Sequence, residues 1–179
     1  MKPSSELTVD CYVDADFAGL WNKEYHNDEN CVKSRTGYVL CITKFPILWI
    51  TCLQDGIKLS TTEAEYVVLS MAMRDLLPFK RLVQAIFMGI GFEKNQEFNF
   101  LCSEFEDNAG ALSLANLELP QMTPRSKHYA VKYHWFIACL KPENIKVLKV
   151  ELKLQLADIF TKGLPERTFE NIRKLLMGW

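Results

Sequence analysis

The chain has 179 residues, with 21 Lys+Arg against 22 Asp+Glu, 49% hydrophobic and 24% charged residues, a size and balance that suit one globular domain and exclude a disordered or collagen-like chain. No stretch approaches the roughly 18 consecutive apolar residues of a membrane span, and Met1-Lys-Pro-Ser-Ser-Glu6 has no apolar core for a signal peptide, so a soluble intracellular protein with no membrane partner is expected. A net charge of -1 argues against a dedicated, strongly basic nucleic-acid binder.

Leu7, Val9, Cys11 and Val13 alternate with Thr8, Asp10, Tyr12 and Asp14. A period of two predicts a strand with one apolar face, closed by Asp14 on its polar side. After a polar loop over 22–35, Thr36-Gly-Tyr-Val-Leu-Cys-Ile-Thr43 and Pro46-Ile-Leu-Trp-Ile-Thr51 predict two more strands joined at Lys44-Phe45, giving an antiparallel meander. Ser60-Thr-Thr-Glu63 has the spacing of a capping box, which predicts a helix from Thr61 with an apolar stripe of Leu69, Ala72, Met73 and Leu76. Pro78 cannot donate to the preceding turn and is expected to break or kink that helix, with a continuation from Phe79 to Met88 stopping at Gly89 and Gly91.

Glu97-Phe-Asn-Phe-Leu-Cys-Ser103 predicts a fourth strand, and Asn108 is placed to cap a short helix from Ala109 to Ala115. Pro120 and Pro124 punctuate a loop. Ser126 to Leu140 reads as a helix, Ile145 to Leu152 as a fifth strand, and the C-terminus as helical. The order β-β-β-α-β-α-α-β-α predicts a mixed five-stranded sheet flanked by helices, of the α/β or mixed α+β class.

The six cysteines are widely spread, form no C-x-x-C pair and sit mostly in apolar stretches, the pattern of reduced thiols. Trp21, Trp49 and Trp135 are expected to fill the core. Charge is unevenly distributed: residues 1–120 hold ten Lys+Arg against 17 Asp+Glu, and residues 121–179 hold 11 against five. Such a split fits either chance surface variation or a C-terminal part facing a polyanion. His128 and His134 are six apart, a spacing that does not put both on one helix face, so zinc is not expected.

Four carboxylates stand where chemistry is common in such a sheet: Asp14 at the end of the first strand, Glu65 early in the capped helix, Asp107 past the fourth strand, and Asp158 entering the last helical segment. Periodicity does not show that they meet. Singly, each reads more readily as a solvated or capping acid than as a functional one. If they converge, their mutual repulsion requires a cation or protons. Hard oxygen donors without a Cys/His cluster select Mg²⁺ or Mn²⁺, and two such ions can drive phosphodiester hydrolysis by water.

Eight blocks then carry a resemblance. They are Tyr12-Val-Asp-Ala-Asp-Phe-Ala-Gly19, Lys33-Ser-Arg-Thr-Gly-Tyr-Val39, Pro46-Ile-Leu-Trp49, Leu59-Ser-Thr-Thr-Glu-Ala-Glu-Tyr66, Glu106-Asp-Asn-Ala-Gly-Ala-Leu112, Arg125-Ser-Lys-His128, Lys132-Tyr-His134 and Gln155-Leu-Ala-Asp-Ile-Phe-Thr-Lys162. In this order the chain resembles the RNase H domain of copia-type (Pseudoviridae) retrotransposon Pol polyproteins. The resemblance implies a single RNase H-like domain over 1–179, with the motifs within about 7–162 and a helical tail over about 163–179.

It also implies hydrolysis of the RNA strand of an RNA/DNA hybrid, with Asp14, Glu65, Asp107 and Asp158, rather than Asp16 or Glu63, as catalytic acids and ligands of two Mg²⁺ or Mn²⁺ ions. Asp14 and Asp107 would be central, Glu65 would position metal and water, and Asp158 would be the more mobile ligand. Nucleic-acid contact falls to Asn108, Arg125, Lys127, His128 and Lys132, with Arg125, Lys127 and Lys132 as a basic ridge. The implied partner is the reverse transcriptase polymerase domain, and the implied location is intracellular, in a cytoplasmic virus-like particle if the chain is part of an active element. Three departures stand out: Ile50-Thr-Cys-Leu-Gln54 replaces a more polar segment, Val150-Glu-Leu-Lys-Leu154 one that commonly carries Pro and Thr, and 141–157 contains no His. The competing reading is a catalytically silent, decayed or domesticated hybrid-binding remnant.

Overall fold

A computed structural model describes residues 6–22, 24, 27–90, 99–117 and 135–179. The predicted meander is present as β1 (Glu6–Asp16), β2 (Arg35–Ile42) and β3 (Phe45–Leu53). β1 pairs antiparallel with β2 from Val9↔Ile42 to Asp16↔Arg35. On its other side β1 pairs parallel with β4 (Asn99–Glu106), which in turn pairs parallel with β5 (Ile145–Lys149). The sheet order β3-β2-β1-β4-β5 is the expected five-stranded mixed sheet.

Helices α1 (Thr61–Gly89), α2 (Ala109–Ala115) and α3 (Trp135–Leu140) pack on one face. Two short 3-10 turns (Leu152–Leu154 and Leu156–Phe160) precede α4 (Glu166–Met177), which packs on the other. The alternation of β1 serves this layering. Leu7, Val9, Cys11, Val13 and Ala15 join the α1-side core, and Tyr12 points oppositely, stacking on Phe105 with ring centroids 4.8 Å apart. β2 is covered on both faces, Leu40 toward α1 and Val39 and Cys41 toward α4. Its uninterrupted apolar run follows from that double burial. All six cysteines are free thiols, and among the described residues no helix is long and apolar enough to cross a membrane.

Several expectations need correction. Pro78 neither ends nor splits its helix; α1 continues through it to Gly89. Buried Leu69, Ala72, Met73 and Leu76 before the proline and Lys80 and Val83 after it keep both halves on the sheet, and that packing outweighs one lost hydrogen bond. β4 runs on to Glu106 because Glu104, Phe105 and Glu106 each find partners on β5. β5 stops at Lys149, and Leu152 lies in a 3-10 turn. Of the helix expected over 126–140, the part before Trp135 lies outside the described residues.

Trp21 and Trp49 are exposed, at 60% and 58%, rather than core residues. Trp21 lies in the loop after β1, and Trp49 is on β3, the edge strand, on a face that α4 covers only in part. Trp135 is partly buried against the core, its Nε1 donating to Ser70 Oγ at 2.7 Å.

Candidate active site

β1 and β4 run parallel and end side by side, so the residues just beyond them share one rim of the sheet. Asp14, 2% exposed, lies at that end of β1 opposite Gly37 of β2, and Asp107 follows β4 directly. Asn108 then turns the chain into α2, its side-chain oxygen accepting the N–H groups of Gly110 (2.9 Å) and Ala111 (3.0 Å). A Cβ at Gly110 would lie 2.6 Å from Thr62 Oγ1, so glycine permits α2 to start against the first turn of α1.

α1 is held at the same rim by its cap and by one buried glutamine. Ser60 Oγ accepts from Glu63 N at 3.1 Å, and Glu63 Oε2 accepts from Leu59 N at 3.0 Å, a capping arrangement in which the return bond reaches one residue beyond the cap. Gln54 Nε2 donates to Thr36 Oγ1 (3.1 Å) and to Ala64 O (2.9 Å), tying the helix start to β2. Glu65 therefore faces the strand ends, and Ala15 N–H donates to its carboxylate.

The result is a convergence of three of the four predicted acids. One carboxylate oxygen each from Asp14, Glu65 and Asp107 lie within 4.8 Å of one another. Glu65 is 6% exposed and its Oε2 has no hydrogen-bond partner. Burial, then the charges of Glu106, Asp14 and Asp107, push Glu65 up to about 11. Burial and Asp14 also raise Asp107, against the pull of Lys162. Carboxylates this close must hold protons or a cation. An all-oxygen donor set with one buried oxygen unpartnered fits a hard divalent ion such as Mg²⁺ or Mn²⁺.

Asp158 reaches the rim differently. Its turn is anchored by Gln155, whose Nε2 donates to Val13 O at 2.8 Å and whose Oε1 accepts from Ala157 N. Gly37 lets the turn come close, because a Cβ there would lie 2.5 Å from Thr161 Cγ2 and 3.2 Å from Ala157 O. Asp158 is not one of the three converging acids. Its Oδ1 lies 2.8 Å from Lys162 Nζ, which is also 3.5 Å from Asp14 Oδ1, while the Thr161 hydroxyl donates to Asp14 Oδ2. Burial raises Asp158 to about 6 despite its bond from Lys162.

Among the expected nucleic-acid contacts, Asn108 has its amide oxygen committed to capping α2; Arg125, Lys127, His128 and Lys132 lie outside the described residues. Glu63 serves the cap, and Asp16 is not part of the triad. Sequence reasoning missed the supports: Lys162, Thr161, Gly37 and the two buried glutamines. The i, i+4 spacing of Asp158 and Lys162 was a readable signal for an ion pair. It likewise missed Glu104 and Glu106, both fully buried at 0% exposure on β4. Glu106 Oε1 accepts from Asn108 N at 2.8 Å, which steadies the peptide carrying Asp107.

No family model matches the chain. The chain is 32% identical over 165 residues to the retrovirus-related Pol polyprotein from transposon TNT 1-94 of Nicotiana tabacum, a match covering 92% of this chain and 11% of that protein. It is 29% identical over 172 residues to the corresponding protein of transposon RE1 of Arabidopsis thaliana, covering 96% of this chain and 10% of the relative. The chain thus spans about a tenth of the length of the curated relatives it matches.

Among solved structures, LC11-RNase H1, isolated from compost by a metagenomic approach, superposes with a TM-score of 0.54 at 16% identity, covering 96% of this chain and 98% of that one. The same enzyme crystallised with an RNA/DNA hybrid gives a TM-score of 0.53 over 86% and 93% of the two chains. At that identity the likeness is one of fold. The matches cover nearly the whole chain, and the eight ordered blocks lie in a fold shared with RNase H: the chain is a relative of the retrovirus-related Pol polyproteins of plant transposons and has an RNase H fold.

Proposed function

We propose that this chain, as one domain over 1–179, is a divalent-metal-dependent endonuclease that hydrolyses the RNA strand of RNA/DNA hybrids. The observation that carries the reading is the meeting of Asp14, Glu65 and Asp107 within 4.8 Å, with a buried, unpartnered Glu65 oxygen among them. The hybrid bound by LC11-RNase H1, an enzyme of the same fold, supports the choice of substrate.

Asp14, Glu65 and Asp107 would hold Mg²⁺ or Mn²⁺, and Asp158 would complete a second position only after parting from Lys162. The bound ion supplies Lewis acidity and a water acidic enough to attack a phosphodiester near neutral pH. The chain's own contribution is positional. Asp14 is fixed by Thr161 and by its place on the central strand, Glu65 by Ala15 N–H, and Asp107 by the Asn108 cap. Substrate selection would rest on 2′-hydroxyl and backbone contacts, because an A-like duplex offers its shape more readily than its base edges.

Arg125, Lys127, His128 and Lys132 would supply the phosphate-facing cations, with Asn108 at the rim. The Pol names of the relatives support a neighbouring polymerase domain as partner; in an active element this reading places the domain in a cytoplasmic virus-like particle. The test is cleavage of an end-labelled RNA/DNA hybrid in Mg²⁺ and in Mn²⁺, beside single-stranded RNA, double-stranded DNA and a chelator control. RNA cutting confined to the hybrid and abolished by chelator is expected, leaving 3′-hydroxyl and 5′-phosphate ends. Hybrid binding without any cutting would make the domain a silent remnant.

A further inference from the structure

Lys162 stands where a two-ion reading needs open space. Its Nζ lies 2.8 Å from Asp158 Oδ1 and 3.5 Å from Asp14 Oδ1, bridging the last catalytic-segment acid to the central one. The pair is not a loose surface contact. The Lys162 side chain is 36% exposed and the two carboxylates are 3% and 10% exposed at their side chains. The segment carrying Lys162 is held by the Gln155 bond to Val13 O, by the Thr161 bond to Asp14 and by Thr51 Oγ1 donating to Phe160 O at 2.6 Å. Gly37 makes that approach possible.

We propose that the Lys162 ammonium is the fixed cation of the Asp14–Asp158 corner, so that the site takes one divalent ion, between Asp14, Glu65 and Asp107, where four free acids would take two. The inference rests on the metal-dependent reading above. Its physical basis is charge. A second divalent ion at Asp158 would have to displace an ammonium already in contact with both carboxylates, or stand close to it in a partly buried site where like charges repel strongly.

The other side of the rim differs in charge: Glu65 Oε2 and Asp158 Oδ1 are both buried without a well-formed hydrogen bond, but Asp158 has an ammonium at 2.8 Å, whereas among the described residues none lies within salt-bridge distance of Glu65 or Asp107. One corner thus has its charge paired by the chain's own ammonium and the other calls for an external cation. Lys162 is a positioning residue in this scheme: it acts through Asp14 and Asp158 rather than on the substrate.

The test counts Mn²⁺ ions bound to the substrate-free chain, by calorimetric titration and by the electron paramagnetic resonance signal of free Mn²⁺, for the wild type, Lys162→Met, Lys162→Arg and Asp107→Asn. The wild type and Lys162→Arg are expected to bind one ion, Asp107→Asn to lose it, and Lys162→Met to gain a second site at least about tenfold tighter than any second site of the wild type. Should Lys162→Met not fold, Lys162→Gln takes its place with the same expected gain. Two ions on the wild type, or no second ion once Lys162 is gone, would overturn the proposal and leave the metal-dependent reading intact. No Mn²⁺ bound by the wild type would overturn both.

Discussion

Asp107→Asn removes one negative charge from acids that raise one another's proton affinity. The substitution is therefore expected to keep the fold and to melt no lower than the wild type without added metal, while the stabilisation that Mg²⁺ gives the wild type disappears. Circular-dichroism melts with and without Mg²⁺ check this; unfolding of the variant would make Asp107 structural. Glu104 provides the pH prediction. Burial first, then Glu106, hold its carboxyl well above the ordinary 4.5, and neither oxygen has a partner.

The folded protein keeps a Glu104 proton that the unfolded chain releases above about pH 4.5, so stability falls as pH rises from there, by at most about 1.4 kcal/mol per pH unit. Glu104→Gln has no proton to release. Urea unfolding at about pH 5.5 and about pH 7.5 is expected to show a shallower pH dependence for the variant; identical slopes would mean that Glu104 is not held neutral. Glu104 was not legible beforehand because its burial comes from register. It lies between Cys11 of β1 and Val147 of β5, and nothing local in Cys102-Ser-Glu-Phe-Glu106 announces two covered neighbours. The Lys162 bridge is half legible, since its partner Asp158 is four residues away but Asp14 is on another strand.

At the scale of elements, β2 and the 3-10 turn before α4 form the contact on which the site's last corner depends. Gly37→Ala would drive a Cβ to 2.5 Å from Thr161 Cγ2 and 3.0 Å from Phe160 Cβ. Because both neighbours sit on a held turn, the expected cost is about 1–3 kcal/mol. The larger effect is on chemistry: Thr161 and Lys162 withdraw from Asp14, and hybrid cleavage falls more than thermal stability does. Parallel melting and rate measurements check it, and an unchanged variant on both counts would free the turn of any positioning role.

Elements whose signals are local were readable to the residue. The Ser60 cap starts α1 at Thr61 and the Asn108 cap starts α2 at Ala109, as expected, because a cap acts within three residues of itself. The expected break at Pro78 fails for the complementary reason, while the expected stop at Gly89 holds: the local cost of the proline is real, but packing on both sides of it keeps the helix continuous. The Trp49 expectation failed on topology, since alternation alone does not say which strand lies at the sheet edge.

For the whole molecule, the excess of Lys+Arg over Asp+Glu in 121–179 sets the expected substrate side. Arg125→Ala combined with Lys127→Ala is expected to weaken hybrid binding and flatten its salt dependence, each lost phosphate contact reducing the slope by roughly one. Binding titrations over a salt series check it, and an unchanged slope would move the binding face elsewhere.

The central claim, that the Asp14, Glu65 and Asp107 rim is a metal-dependent catalytic site, is tested most directly by single-turnover cleavage of an end-labelled RNA/DNA hybrid by the wild type beside Asp14→Asn, each with Mg²⁺. Asp14 lies within 4.8 Å of the other two acids, accepts from Thr161 and pairs with Lys162, so a neutral isostere there is expected to lower the rate by more than the roughly 10- to 100-fold typical of outer supports while the melting curve stays cooperative. Equal rates for the two proteins, with the wild type cutting, would contradict the assignment of the site.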